Sequence, residues 1–226
     1  AARTARGSGV AYLSDQTHSS IARGLRAIGV DGPLLRLLPT DGDLRLAPAT
    51  VAAAIAEDRA AGRAPTVVVA SAGTTNTGTI DDLPALADLC AAEGLWLHVD
   101  GAYGGPAALC PAGRAALRGI ERADSVVLDP HKWLFQPYDA ACLWVARPGA
   151  LDRTFAMHPG YLTDAQVDDG VDGWVDDRGG PVDLHNRSLE LTRHSRAAKL
   201  WLTLRTYGLD ALEDAVERGI ALAELA

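Results

Sequence analysis

The chain has 226 residues, enough for one sizeable domain with its own core. With 48% hydrophobic and 22% charged residues it has a globular composition, and no apolar run reaches the length of a membrane span. The net charge of -8 argues against a broad nucleic-acid footprint, so neither nucleic acid nor membrane is expected as a partner.

Helical and strand patterns alternate through the first two thirds. Ser19 to Ala27 reads as a helix closed by Gly29. Leu34 to Leu38 reads as a short strand. Pro48 to Ala61 has proline at a helix start and Gly62 after its end. Thr66 to Ser71 is a β-branched apolar run, the mark of a strand buried on both faces. Leu83 to Glu93 is a helix stopped by Gly94. Leu95 to Val99, Ser125 to Leu128 and Ala141 to Ala146 are further strands. Strand, helix, strand at this spacing predicts right-handed crossovers and an α/β sheet covered on both faces.

The stretch from Met157 to Asn186 is rich in Gly and Asp and poor in periodic apolar residues, which predicts a mobile loop over about 157–186. A helical pattern resumes near Ser195 and runs to Leu204. Tyr207-Gly208 breaks it, and a last helix starts near Asp210. The expected division is a sheet domain over 1–190 and the start of a small C-terminal domain over 191–226.

Cys90, Cys110 and Cys142 are sparse and lack metal-type spacing; they read as reduced, buried residues of a cytoplasmic protein. The start AARTARGSGV has no apolar core of a signal peptide. Met157 is the only methionine, and IALAELA breaks off inside a helical pattern, so both ends are expected to be cut.

In open α/β sheets, ligands bind beyond the carboxyl ends of strands. Three such ends carry chemistry here: VVVASAGTTNTG with Gly73, Thr74 and Thr75; LWLHVDGAYGG with Asp100; and SVVLDPHKW with Asp129, His131 and Lys132. Hydroxyls, a carboxylate and an amine around one crevice are what a pyridoxal cofactor needs. The amine reacts with its aldehyde. The carboxylate keeps the pyridine nitrogen protonated so the ring can act as an electron sink. Small residues after the carboxylate let a flat ring approach the backbone. Taken singly, Lys132 would be a solvated charge, Asp100 a turn residue and His18 a locally bonded helix-end residue. His98, alternating with Leu97 and Val99, reads as a core or interface histidine. His98 and Asp100 lack the further ligands of a metal site, and none is expected. Arg193, Arg196 and Lys199 read as the solvated or interface face of a helix, with Leu200 and Trp201 packing inward.

Five stretches together, SDQTHSSIARGLRAIGV, ASAGTTNTGTIDDL, LWLHVDGAYGG, DSVVLDPHKWL and LTRHSRAAKLWLTLRTYG, resemble the group II pyridoxal-phosphate-dependent amino-acid decarboxylases in order and spacing. That resemblance implies part of a fold type I large domain, the aspartate aminotransferase type, with the start of a small α/β domain. It implies pyridoxal 5'-phosphate as cofactor, an amino acid as the small-molecule substrate, and a homodimer. Lys132 matches the family's Schiff-base lysine and Asp100 the partner of the pyridine nitrogen. Ala102 matches the small residue against the ring, and His18 the histidine stacked on its other face. Thr75 matches a cofactor-contacting threonine. Asp129 stands at a phosphate-proximal position with His131 beside it. Tyr161, in HPGYL, matches the loop tyrosine that protonates the substrate carbon.

The implied activity is decarboxylation of an L-amino acid, the aromatic branch being favoured by DPHKWL and by Tyr138 and Trp144. Glutamate and 2,4-diaminobutyrate decarboxylation stay open, as does aromatic aldehyde synthesis, although Tyr161 argues for simple decarboxylation. A non-catalytic truncated remnant is the reading from a different class. The 226 residues alone are expected to bind cofactor poorly.

Overall fold

The computed structural model describes residues 9–157 and 184–225. Its centre is a sheet of six strands: β1 (Gly9–Ser14), β2 (Leu35–Leu38), β3 (Ala64–Ser71), β4 (Trp96–Asp100), β5 (Ser125–Leu128) and β6 (Cys142–Val145). The spatial order is β2-β1-β3-β4-β5-β6, and the first five run parallel. The helices are α1 (Ser19–Ala27), α2 (Pro48–Ala60), α3 (Leu83–Glu93), α4 (Pro111–Ala116), α5 (Ala150–Phe155) and α6 (Arg196–Glu224).

The local signals explain most boundaries. Pro48 sits in the first turn of α2, where its missing N–H costs nothing. The Asp82 carboxylate accepts the Ala85 N–H at the start of α3, and Gly94, at φ 68°, ends it in the left-handed region. Gly208, at φ 81° and ψ 168°, interrupts α6 where Tyr207-Gly208 predicts a break.

Strand alternation sorts the core into two layers. Val10, Tyr12, Val68, Ala70, Leu97 and Val99 face α2 and α3, whose Val51, Ile55, Leu83 and Leu86 are fully buried. Ala11, Leu13, Leu35 and Val69 face α1, with Ile21 and Leu25 packed on them. Each fully buried aliphatic contributes about 1.5–3 kcal/mol. Beside this core, Asp58 is wholly buried and accepts from Tyr12 Oη (2.8 Å), Arg36 Nη1 (2.6 Å) and Arg63 Nη2 (2.6 Å).

β1 was not among the expected strands. Its four-residue run VAYL is buried on both faces and gives no period to read. The cysteine expectation holds for Cys90 and Cys110 but not for Cys142, which is exposed because β6 is the sheet's edge. No helix among the described residues is long and apolar enough to cross a membrane.

By contacts the chain divides into two units: Ala1–Trp144 with Arg196–Ala226, and Val145–Ser195. Residues from Arg196 onward group with the sheet in this division. In the second unit, Arg187 pairs with Asp152 of α5 at 3.2 Å.

Candidate active site

The connection from β1 leads through α1 to β2 on one side. The connection from β2 then passes β1 and lays β3 on its other side. The order of strands thus reverses between β1 and β3, the kind of switch point beyond whose carboxyl ends α/β sheets bind ligands. The loops that follow these strands meet there: Asn76 Nδ2 donates to Gln16 Oε1 at 3.2 Å.

β4 and β5 lie next in the sheet, with Asp100 paired in register to Val127. The chain then turns so that Lys132 Nζ comes 2.9 Å from Asp129 Oδ2. The Asp129 N–H donates to the Ala102 carbonyl at 3.0 Å, and the Ala102 N–H donates to Asp100 Oδ1 at 3.1 Å. Amine and carboxylate are therefore joined through one continuous set of bonds. His131 flanks it, with Nε2 at 3.8 Å from Asp129 Oδ2 and Nδ1 at 2.6 Å from the Ala140 carbonyl oxygen.

Glycines bring the backbones together. A Cβ on Gly104 would press into the Ala72 carbonyl, well inside van der Waals contact. Gly73, at φ 100°, faces the Gly104 backbone. Tyr103 stacks on Trp133 at 5.1 Å, one side chain from each strand-end turn.

Of the residues singled out by sequence, Asp100, Ala102, Asp129, His131 and Lys132 meet at the ends of β4 and β5. His18 and Thr75 lie at the same edge of the sheet, on the loops after β1 and β3, and both are exposed. His18 also caps α1: Nδ1 accepts the Ser20 N–H at 3.4 Å and lies 2.8 Å from Ser20 Oγ. Neither hydrogen-bonds Asp100 or Lys132. The buried threonine is Thr74, which accepts the Thr79 N–H at 3.1 Å and shapes the turn. Tyr161 and the acidic stretch around it lie outside the described residues.

One expectation narrows and one changes. Of the solvated or interface face expected for Arg193, Arg196 and Lys199, the last two bind the chain's own loop. Lys199 Nζ donates to the carbonyls of Pro137 (3.0 Å) and Asp139 (2.6 Å), and Arg196 Nε pairs with Asp139 at 2.9 Å. Thr203 Oγ1 donates to Gln136 Oε1 at 3.1 Å. The first half of α6 thus fastens the loop that follows Lys132, whose turning backbone leaves carbonyls in need of donors. Trp201, expected inward, is 60% exposed. These contacts span more than fifty residues of sequence, so no local pattern announces them.

The donor set fits a pyridoxal group. An amine and a carboxylate stand on neighbouring strand ends, small residues keep the backbone bare between them, and a carboxylate oxygen of Asp100 remains beyond the one that accepts from Ala102. Asp129 is the one awkward member, since it pairs with the amine and would face a phosphate with like charge.

The model of the pyridoxal-dependent decarboxylase conserved domain matches residues 3–226. The aromatic-L-amino-acid decarboxylase of Bacillus atrophaeus is 44% identical over 215 residues, covering 95% of this chain and 43% of that protein. Histidine decarboxylase of Drosophila melanogaster is 39% identical over 215 residues, covering 95% of this chain and 24% of its own length. A crystal structure of Oryza sativa TDC with PLP and tryptamine superposes with a TM-score of 0.86 at 35% identity, covering 97% of this chain and 43% of that one. The chain thus spans less than half the length of these relatives.

Proposed function

Since this chain belongs to the pyridoxal-dependent decarboxylase family, we propose that it carries the cofactor-holding core of an enzyme that removes carbon dioxide from an aromatic L-amino acid. The observation that carries this reading is the bonded link from Lys132 through Asp129 and Ala102 to Asp100. The similarity to aromatic-L-amino-acid decarboxylase and to a structure containing PLP and tryptamine supports the substrate class and the cofactor.

When bound, pyridoxal phosphate supplies an electron sink for the pair left behind by departing carbon dioxide. Lys132 would provide the amine that holds it. Asp100 holds a proton at the pyridine nitrogen, which keeps that sink effective. Ala102 would leave room for one face of the ring, and His18, on the turn before α1, would cover the other. Thr75 and His131, on the same strand ends as Asp129, would receive the remaining polar groups of the cofactor. Asp129 additionally keeps Lys132 oriented while the site is open. Tyr161 is the proposed donor of the proton that replaces the carboxylate on the substrate carbon. A homodimer in the cytoplasm is the proposed setting of the complete protein.

The test is a panel of L-amino acids given to the complete, cofactor-loaded protein and scored by carbon dioxide release. Release from tryptophan, tyrosine or dihydroxyphenylalanine supports the reading. Release confined to histidine, glutamate or diaminobutyrate, or ammonia and peroxide formed during turnover, overturns the substrate or reaction assignment.

A further inference from the structure

Trp96, His98 and Asp100 share one face of β4, because side chains alternate along a strand. Their cross-strand neighbours on that face are uncharged. His98 lies between Val69 of β3 and Ser125 of β5, and Asp100 between Ser71 and Val127. Ser20, Ile21, Leu25 and Ile28 of and beside α1 line the same open apolar groove as His98. Asp100 is thus the one charged side chain in this patch of sheet.

Two hydrogen bonds converge on Ser125. Trp96 Nε1 donates to Ser125 Oγ at 2.8 Å, and His98 Nδ1 lies 2.8 Å from the same oxygen. An indole N–H can only donate, so it occupies the oxygen as acceptor. The hydroxyl has a single hydrogen of its own, and the ring nitrogen of His98 is the acceptor within reach. The proton of a neutral His98 then belongs on Nε2. Burial of the ring lowers its pKa, against the opposing pull of Asp100, which favours the neutral form.

We infer that His98 is a positioning residue for the cofactor site: the Trp96–Ser125 pair fixes it as the neutral Nε2–H tautomer, and this leaves the Asp100 carboxylate, beyond its bond from the Ala102 N–H, without a neighbouring cation to compete with the pyridine nitrogen. A cation at 98 would stand two residues from Asp100 on the same face and compete for its charge. This inference rests on the proposed role of Asp100, but its first test does not.

That test is nitrogen-15 NMR of the complete protein labelled in histidine, with His98 assigned by its disappearance in His98→Gln. The expected result at neutral pH is an imine-type Nδ1 and a protonated Nε2. In Ser125→Ala the Nδ1 signal should move toward the position of a nitrogen without a hydrogen bond. A protonated Nδ1, a doubly protonated ring, or an Nδ1 signal unmoved in Ser125→Ala overturns the assignment. The second test labels the pyridine nitrogen of the bound cofactor. His98→Gln should leave it protonated and His98→Lys should shift it toward the unprotonated form. No shift in His98→Lys overturns the positioning role. If Lys132 fails to hold the cofactor in the parent protein, the proposed function falls while the tautomer result is still read.

Discussion

Lys132 Nζ lies 2.9 Å from Asp129 Oδ2, three residues back along the same turn, and the lysine side chain is still 38% exposed. With the amine at the surface and the Asp129 carboxylate half-buried, such a pair is worth on the order of 1 kcal/mol. It steers the amine without locking it, and the amine must leave the carboxylate to react. Asp129→Asn should therefore keep the cofactor and favour its loading by at most about fivefold, the Boltzmann equivalent of 1 kcal/mol. Titration of the complete apoprotein with pyridoxal phosphate measures this. Loss of loading in Asp129→Asn would mean that the carboxylate is essential to the site.

Asp100→Asn preserves size and the bond from the Ala102 N–H but removes the charge. With a preorganised electrostatic contact gone, turnover should fall on the order of 10²–10³-fold. The fold should persist, because Asp100 holds no distant element through its side chain. Steady-state kinetics alongside circular dichroism checks both halves.

Gly104 packs against the backbone of Ala72 and Gly73, where a methyl group has no place. Gly104→Ala should push the ends of β3 and β4 apart, at about 1–3 kcal/mol in stability. Cofactor affinity should weaken as well. Gly42→Ala, where a Cβ meets nothing within 4 Å, is the matched control. Equal behaviour of the two variants in thermal melts would contradict the packing account.

Asp58 has a pKa held below the ordinary carboxylate range. Burial pushes it up, but the bonds from Arg63 and Tyr12 and the charges of Arg36 and Arg63 more than offset that. A depressed folded-state pKa adds stability above the unfolded value and loses it as pH falls through the folded one. Asp58→Ala should cost about 1–3 kcal/mol near neutral pH, since the buried Tyr12 hydroxyl loses its partner. The gap from the parent should narrow in acid. Urea unfolding at several pH values measures the trend, and a gap that widens on acidification would refute it.

The helices that carry their own stop signals were legible from the chain. α3 ends at Glu93 because Gly94 follows, and α2 begins at Pro48 as its proline demands. The carboxyl ends of β4 and β5 were legible too, since apolar runs ending in Asp100 and in Asp129-Pro130 mark strand ends by composition. β1 was not, because VAYL is too short and too uniformly buried to show a period. The roles of Lys199 and Thr203 were hidden for another reason. Their partners, Pro137, Asp139 and Gln136, are more than fifty residues away and become neighbours only when α6 returns to the sheet. Ser125 was read as the opening residue of a strand, and the register of β4 against β5 is what turns it into the partner of His98.

The account depends most on the amine at position 132. In the complete protein, pyridoxal phosphate bound to that lysine should give an absorbance band beyond that of the free cofactor. Lys132→Ala should abolish the band while cofactor is still present in solution. An unchanged spectrum in Lys132→Ala would place the cofactor on another amine and contradict the central claim.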